Sequence, residues 1–343
     1  MKRLLYLMAG LLVLTSTLSG GGRTEAPDTE LYAIGVFVPG VVEGSPTYEM
    51  LVAGVQQAVA ESEMATMKVV EGGFNQALWQ QSLTSMAAGG EYDLIVSSNP
   101  EMPDIVEAVL ESFPTQRYLL MDAWFPGNSQ VHTVMFNQRE QAFLSGHFAG
   151  LVGRSAMVTP RQTLRVGLLA GQEYPIMNEV ILPSYLLGLR SVDPDGQVDF
   201  RVLGNWYDAG RAAELANSMY ATGSHIILTI AGGGNQGVIA SARDRGAYVL
   251  WYDSPGLSEA PGVVIGSTYV AQDRATYERT LSAIRGELAF GEAEILGVAD
   301  GYVGFVEDDR LYERHVDDDV RQAMSRMIEQ MQNGDVYLEM SLR

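Results

Sequence analysis

Short apolar runs alternate with longer amphipathic ones along most of this chain, the pattern of strands and helices taken in turn. The clearest stretch is 226–256, IILTIAGGGNQGVIASARDRGAYVLWYDSPG. Ile226–Ile230 is long enough for a buried strand and too short for a buried helix. Three glycines follow, then a helical segment over Asn235–Arg245. A second apolar run, Tyr248–Tyr252, ends on Asp253-Ser254. Strand, loop, helix, strand and loop make a parallel α/β unit. Both loops leave the carboxyl ends of strands, where open α/β sheets hold their ligands. Gly232, Gly233 and Gly234 allow close approach to the backbone. Asn235 opens a helix with free N–H groups, and Asp253 presents a carboxylate at the rim.

The same grammar runs upstream. Strands are expected at Leu31–Val38, Met67–Val70, Tyr92–Ser97 and Arg117–Asp122, with helices at Tyr48–Glu63, Gln76–Ala88 and Pro103–Phe113. From Leu164 the order repeats, with strands at Leu164–Ala170, Gln197–Leu203 and His225–Ile230 and helices at Pro183–Ser191 and Arg211–Thr222. Gly35 and Gly167, Ile95 and Ile227, and Asp122 and Asp253 correspond at an offset of about 132 residues, the mark of a duplicated domain. The expected fold class is α/β, two Rossmann-like lobes with a ligand cleft between them. Lobe 1 is expected over 31–135 with a returning segment over 264–343, and lobe 2 over 136–263. The amphipathic stretch Phe136–Val152 reads as a helix near the crossing.

Composition narrows the function. The chain has 343 residues, enough for two cores. Its 22 Lys+Arg against 42 Asp+Glu leave a net charge of −20, which argues against nucleic acid or an anionic membrane surface as partner. Met1-Lys2-Arg3 followed by the apolar run Leu4–Leu18 reads as a signal peptide over 1–20, and 21–30 as a flexible tether. The protein is therefore expected to be exported, with an N-terminal anchor as its one membrane attachment. Leu18-Ser19-Gly20 resembles a lipoprotein box, but Gly21 stands at the lipidated position and the chain has no cysteine. Its four histidines are scattered, none at metal-ligand spacing with another. The chain lacks a G-x-S-x-G elbow and a phosphate-loop lysine motif, so no enzyme, metal or resident cofactor is expected.

The ordered set IGVFVPG, YDLIVSSNP, YLLMDAW, QAFLSGHFAGLV, RVGLLAG, AGGGNQGV and VLWYDSPG resembles the basic membrane protein/purine nucleoside receptor family of bacterial substrate-binding lipoproteins. The likeness covers about residues 31–305. It implies a type I periplasmic-binding-protein fold, a small-molecule ligand and the permease subunits of an ABC importer as partners. Carried across, the family's two stacking aromatics fall at or beside Tyr48 and on Trp206. Its glycine loop falls on Gly232–Gly234 and its ligand-binding aspartate on Asp253. Two positions depart from the nucleoside-binding pattern: Gly44-Ser45-Pro46-Thr47-Tyr48 replaces Asp-Lys-Ser-Phe-Asn, and Val270 stands where a lysine is expected. In these respects the chain looks most like the spirochaetal branch that binds riboflavin, with a purine nucleoside as the alternative ligand.

A tricyclic ring needs a wide aromatic platform, and Trp206 is wider than a phenylalanine. Trp124, Tyr174, Tyr185 and Tyr269 also fall at strand ends. A ribityl chain needs hydrogen-bond partners, which Asn99, Asp122, Asn235 and Asp253 are placed to offer. Each of these residues also has a plain structural reading: tryptophans pack between lobes, glycines make tight turns, and aspartates cap the next segment.

Overall fold

The structure, a computed structural model, describes residues 31–160 and 162–340. The expected signal peptide and tether lie outside the described residues. Two six-stranded sheets carry the fold. The first takes β1 (Tyr32–Val38), β2 (Ala65–Glu71), β3 (Leu94–Ser98), β4 (Tyr118–Met121), β5 (Val131–Phe136) and β11 (Ala293–Leu296), in the order β11-β5-β4-β3-β1-β2. The second takes β6 (Arg165–Ala170), β7 (Gln197–Val202), β8 (Ile226–Ile230), β9 (Tyr248–Trp251), β10 (Val264–Val270) and β12 (Val303–Phe305), in the order β12-β10-β9-β8-β6-β7. Apart from the antiparallel pairing of β12 with β10, both sheets are parallel. Helices cover both faces, which is why β3, β4 and β8 are buried end to end.

The duplication holds to the residue between the first and third strands of each lobe. Gly35 pairs with Ile95 in lobe 1, and Gly167 pairs with Ile227 in lobe 2. Both glycines serve the same packing. A Cβ at Gly35 would stand 2.7 Å from the Met86 methyl, and one at Gly167 would stand 2.6 Å from the Met219 methyl. Each methionine belongs to the helix after its lobe's second strand, α2 (Trp79–Gly89) or α6 (Ala209–Ala221).

The lobes exchange helices. After β5 the chain leaves lobe 1, and α4 (Gln138–Arg154) packs against α5 (Leu182–Arg190) of lobe 2. After β10 it leaves lobe 2, and α8 (Gln272–Ile284) packs against α1 (Pro46–Ser62) of lobe 1. Both crossings are glycine-mediated. A Cβ at Gly188 of α5 or Gly146 of α4 would strike the facing helix's backbone, as would one at Gly54 of α1. Asn137 caps α4 by accepting from the Glu140 N–H at 3.2 Å.

The returning segment is shorter than the expected 264–343. Val264–Val270 stays in the second sheet beside β9, because its apolar run fills that sheet's next parallel position. Only α8 and β11 return to lobe 1, where Arg279 and His132 both hold Glu294, at 2.7 Å each. The chain then crosses a third time to β12, and α10 (Asp318–Gln332) packs on α4 in lobe 2. Likewise Phe136 ends β5 of lobe 1 instead of starting a helix of lobe 2.

The glycine crossings yield a test. Gly188→Ala places a methyl on the Phe143 carbonyl. It should lower unfolding free energy by about 1–3 kcal/mol despite alanine's better helix propensity, measured as a lower urea midpoint at unchanged slope.

Candidate functional site

The strand ends of the two sheets meet around two carboxylates. Asp122 follows β4 and Asp253 follows β9, so they occupy the same place in the duplicated fold. Both hold left-handed backbone, φ 50° and 67°, a conformation that aspartate tolerates better than most side chains. Each accepts a hydrogen bond from a glutamine in the first turn of α4. Gln138 Nε2 donates to Asp122 Oδ1 at 2.9 Å, and Gln141 Nε2 donates to Asp253 Oδ1 at 3.0 Å.

Burial is the larger cause that raises both acids. Asp122 is pushed up to about 7, with Asp253 adding to the effect, and Asp253 is pushed up to about 6. Their glutamine donors pull the other way. Among the described residues, no lysine, arginine or histidine is a cause of either shift. Tyrosines surround the pair instead. Tyr174 is raised by burial first and then by these two aspartates, and Tyr252 by burial, Asp253, Tyr174 and Asp122 in turn. Tyr48 reaches about 12, chiefly through burial. Tyr252 Oη and Gln141 Oε1 are buried without a hydrogen-bond partner in the protein.

An aromatic ring sits on a glycine in each lobe. Tyr48 lies over Gly40, where a Cβ would be 2.9 Å from its ring. Its hydroxyl donates to the Pro39 carbonyl at 2.9 Å and accepts from Asn99 Nδ2 at 3.4 Å. Trp206 lies over Gly171 and is tilted 43° to Tyr174, with ring centroids 6.4 Å apart.

The profile of a family described as "ABC transporter substrate-binding protein PnrA-like" matches residues 32–335. The chain belongs to that family. It is 22% identical to "Basic membrane protein A1" of Borrelia garinii over 336 residues, 96% of this chain and 95% of that one. It is 24% identical over 152 residues to the "ABC transporter nucleoside-binding protein BmpA" of Lactococcus lactis, 44% of this chain and 41% of that one. With the "CD4+ T-cell-stimulating antigen" of Listeria monocytogenes it shares 25% over 158 residues, which is 46% of this chain but only 42% of the relative's length. In fold it matches a solute-binding protein of an ABC transporter system from Aeropyrum pernix K1, with a TM-score of 0.77 at 20% identity over 90% of this chain and 92% of that one. Two lobes in the arrangement of a type I periplasmic-binding protein are thus the fold of this substrate-binding protein, and its family is not one of enzymes.

Not every expected site residue reaches the cleft. Tyr185 is 0% exposed, and its hydroxyl donates to the Gly167 carbonyl at 3.2 Å, so it is a core residue beneath β6. Asn235 turns its oxygen inward to accept from Thr229 Oγ1 at 2.7 Å and the Ala231 N–H at 2.9 Å. It secures the end of β8 instead of offering that oxygen to a ligand. Gly232 has φ 56° and backs the Trp206 loop, since a Cβ there would stand 2.7 Å from the Trp206 carbonyl; Gly233 lies beside Tyr207. Tyr269 covers Gly304 where β10 pairs with β12. Trp124 is half-buried two residues beyond Asp122.

The glutamines were missed. Glutamine carries no distinctive sequence signal, although α4 and α8 both begin with one. Gln272 joins the start of α1 to the end of β3, donating to the Thr47 carbonyl at 2.7 Å and accepting from Ser98 Oγ at 3.2 Å.

The acid pair sets a pH dependence. Asp122 binds its proton more tightly in the folded protein than in the unfolded chain, so raising pH from about 4 through 7 removes stability as it ionises. Asp122→Asn should therefore raise unfolding free energy above wild type at pH 8, on the order of 2 kcal/mol. The gain should shrink toward pH 4, as read by paired urea titrations.

Proposed function

We propose that this chain is the extracytoplasmic receptor of an ABC importer and that it takes a flat heteroaromatic ring bearing a hydroxylated chain, with riboflavin as the first ligand. The observation that carries this reading is the pair Asp122 and Asp253 at matching strand ends, flanked by the Tyr48 and Trp206 rings. Two carboxylates are acceptors suited to hydroxyl donors. The aromatic faces suit a planar ring, each stack contributing about 1–3 kcal/mol. Hinge closure brings the lobes over the ring. No helix among the described residues is long and apolar enough to cross a membrane.

Val270 supports riboflavin over a nucleoside. It stands where the nucleoside-binding pattern has a lysine, and it is 6% exposed, its N–H donating to the Asp253 carbonyl at 3.1 Å. The nucleoside reading draws its support from the Lactococcus relative's name.

Calorimetric titration with riboflavin, inosine, guanosine and adenosine separates the two. Riboflavin binding is expected, along with a yellow protein from cells that supply it. A nucleoside bound at micromolar affinity or better, with no heat from riboflavin, reverses the order. Trp206→Ala should weaken the ring ligand about tenfold or more, and Trp206→Phe should weaken riboflavin more than a nucleoside.

A further inference from the structure

The second crossing between the lobes is very short. Val270 ends β10 in lobe 2, Gln272 begins α8 in lobe 1, and Ala271 alone stands between them. Backbone bonds fasten it at both residues. The Val270 N–H donates to the Asp253 carbonyl at 3.1 Å, and the Ala271 N–H donates to the Tyr302 carbonyl at 2.8 Å. Just beyond, the α8 backbone lies directly on α1, since a Cβ at Gly54 would stand 2.4 Å from the Asp273 carbonyl oxygen. Gln272 therefore enters lobe 1 at a fixed place.

Gln272 is 1% exposed, and both ends of its amide are bonded to lobe 1. Its two partners, the Thr47 carbonyl and the Ser98 hydroxyl, belong to the residues immediately before Tyr48 and Asn99. Tyr48 and Asn99 are joined to each other through Tyr48 Oη and Asn99 Nδ2. Both stand beside Asp122. The Asn99 N–H donates to the carbonyl of Met121, one residue before that acid, at 3.2 Å. Burial raises the Tyr48 hydroxyl, the Asn99 bond lowers it and Asp122 raises it again, so the hydroxyl lies within reach of that carboxylate's charge. One buried amide spans the two backbone segments that carry the ring and its partner. No water can take over either bond at such a site, so losing the amide leaves both partners unpaired.

We propose that Gln272 is a positioning residue of the cleft, which holds the Tyr48 ring and the Asn99 amide in place for the ligand and ties them to Asp253 across the second crossing. The proposal rests on the reading of the cleft as a site for a flat ring. Gln272 acts through Tyr48 and Asn99 and touches no ligand itself.

Gln272→Met keeps an unbranched side chain of similar size and removes both bonds. In the full chain, titrated calorimetrically with riboflavin and with inosine, it should raise the Kd of the probe that binds about tenfold. In a Tyr48→Phe background the ring has already lost its hydroxyl bonds, and the same change should raise the Kd about twofold or less. Ser98→Ala removes one of the two bonds and should give the same pattern at about threefold; it decides the question where Gln272→Met does not fold. Unchanged affinity in these variants, or an equal loss with and without the Tyr48 hydroxyl, overturns the proposal and leaves the receptor reading standing. Wild-type protein that binds neither probe overturns both.

Discussion

One helical turn holds the two halves of this molecule in register. Gln138, Glu140 and Gln141 at the start of α4 reach, in order, Asp122 of lobe 1, the Val298 N–H on the third crossing, and Asp253 of lobe 2. Asn137, which caps the same turn, also donates from Nδ2 to the Leu338 carbonyl at 3.0 Å. A rotation of one lobe against the other must pass through these bonds. It must also change the separation of two like charges in a partly desolvated setting, where their interaction is far stronger than in water. Hinge geometry and cleft electrostatics are therefore the same variable seen from two sides.

The duplication explains why so few residues suffice. Because Gly35 and Gly167 hold the same register partner and admit the same methionine, the two sheets present their strand ends at equivalent heights. Two acids then arrive opposite one another without any long-range specification beyond the repeat. Each lobe receives one large helix from the other lobe's chain, over glycines that let backbones nearly touch. Close-packed helix contacts of this kind deform little. Divergence between the copies is found at the loops: a tyrosine from α1 fills one glycine seat and a tryptophan from the loop after β7 fills the other.

Much of this was legible in the residues, and what was not has physical causes. The apolar runs at β1, β3, β6, β8 and β9 stood out because strands buried on both faces read as continuous hydrophobic stretches. The equivalence of Asp122 and Asp253 was legible as well, since both end such a run. By contrast, β5 passed unseen because His132 and Thr133 break its apolar run; both are buried, and His132 is satisfied by Glu294 from a segment 162 residues away. β11 and β12 are too short to show a period. Tyr185 looked like a cleft aromatic because it lies near a strand end in sequence, but α5 turns it under the sheet, where a backbone carbonyl takes its hydroxyl. Spacing along a chain shows that a residue is near a rim; only the helix's rotation decides which way it faces.

The buried acids bear on what closure requires. Asp122 and Asp253 each have one glutamine donor, which offsets only part of the cost of withdrawing a carboxylate from water. Beside them, Tyr252 Oη and Gln141 Oε1 are left without partners. With no cation among the described residues acting on the pair, a closed cleft with nothing bound must either take up a proton or tolerate the repulsion. A ligand that brings hydroxyl donors removes that choice, because each donor it presents satisfies an acceptor that closure would otherwise leave short. For the ligand proposed, selectivity and closure would draw on the same bonds, and a flat ring lacking the hydroxyls would stack yet fail to hold the lobes together.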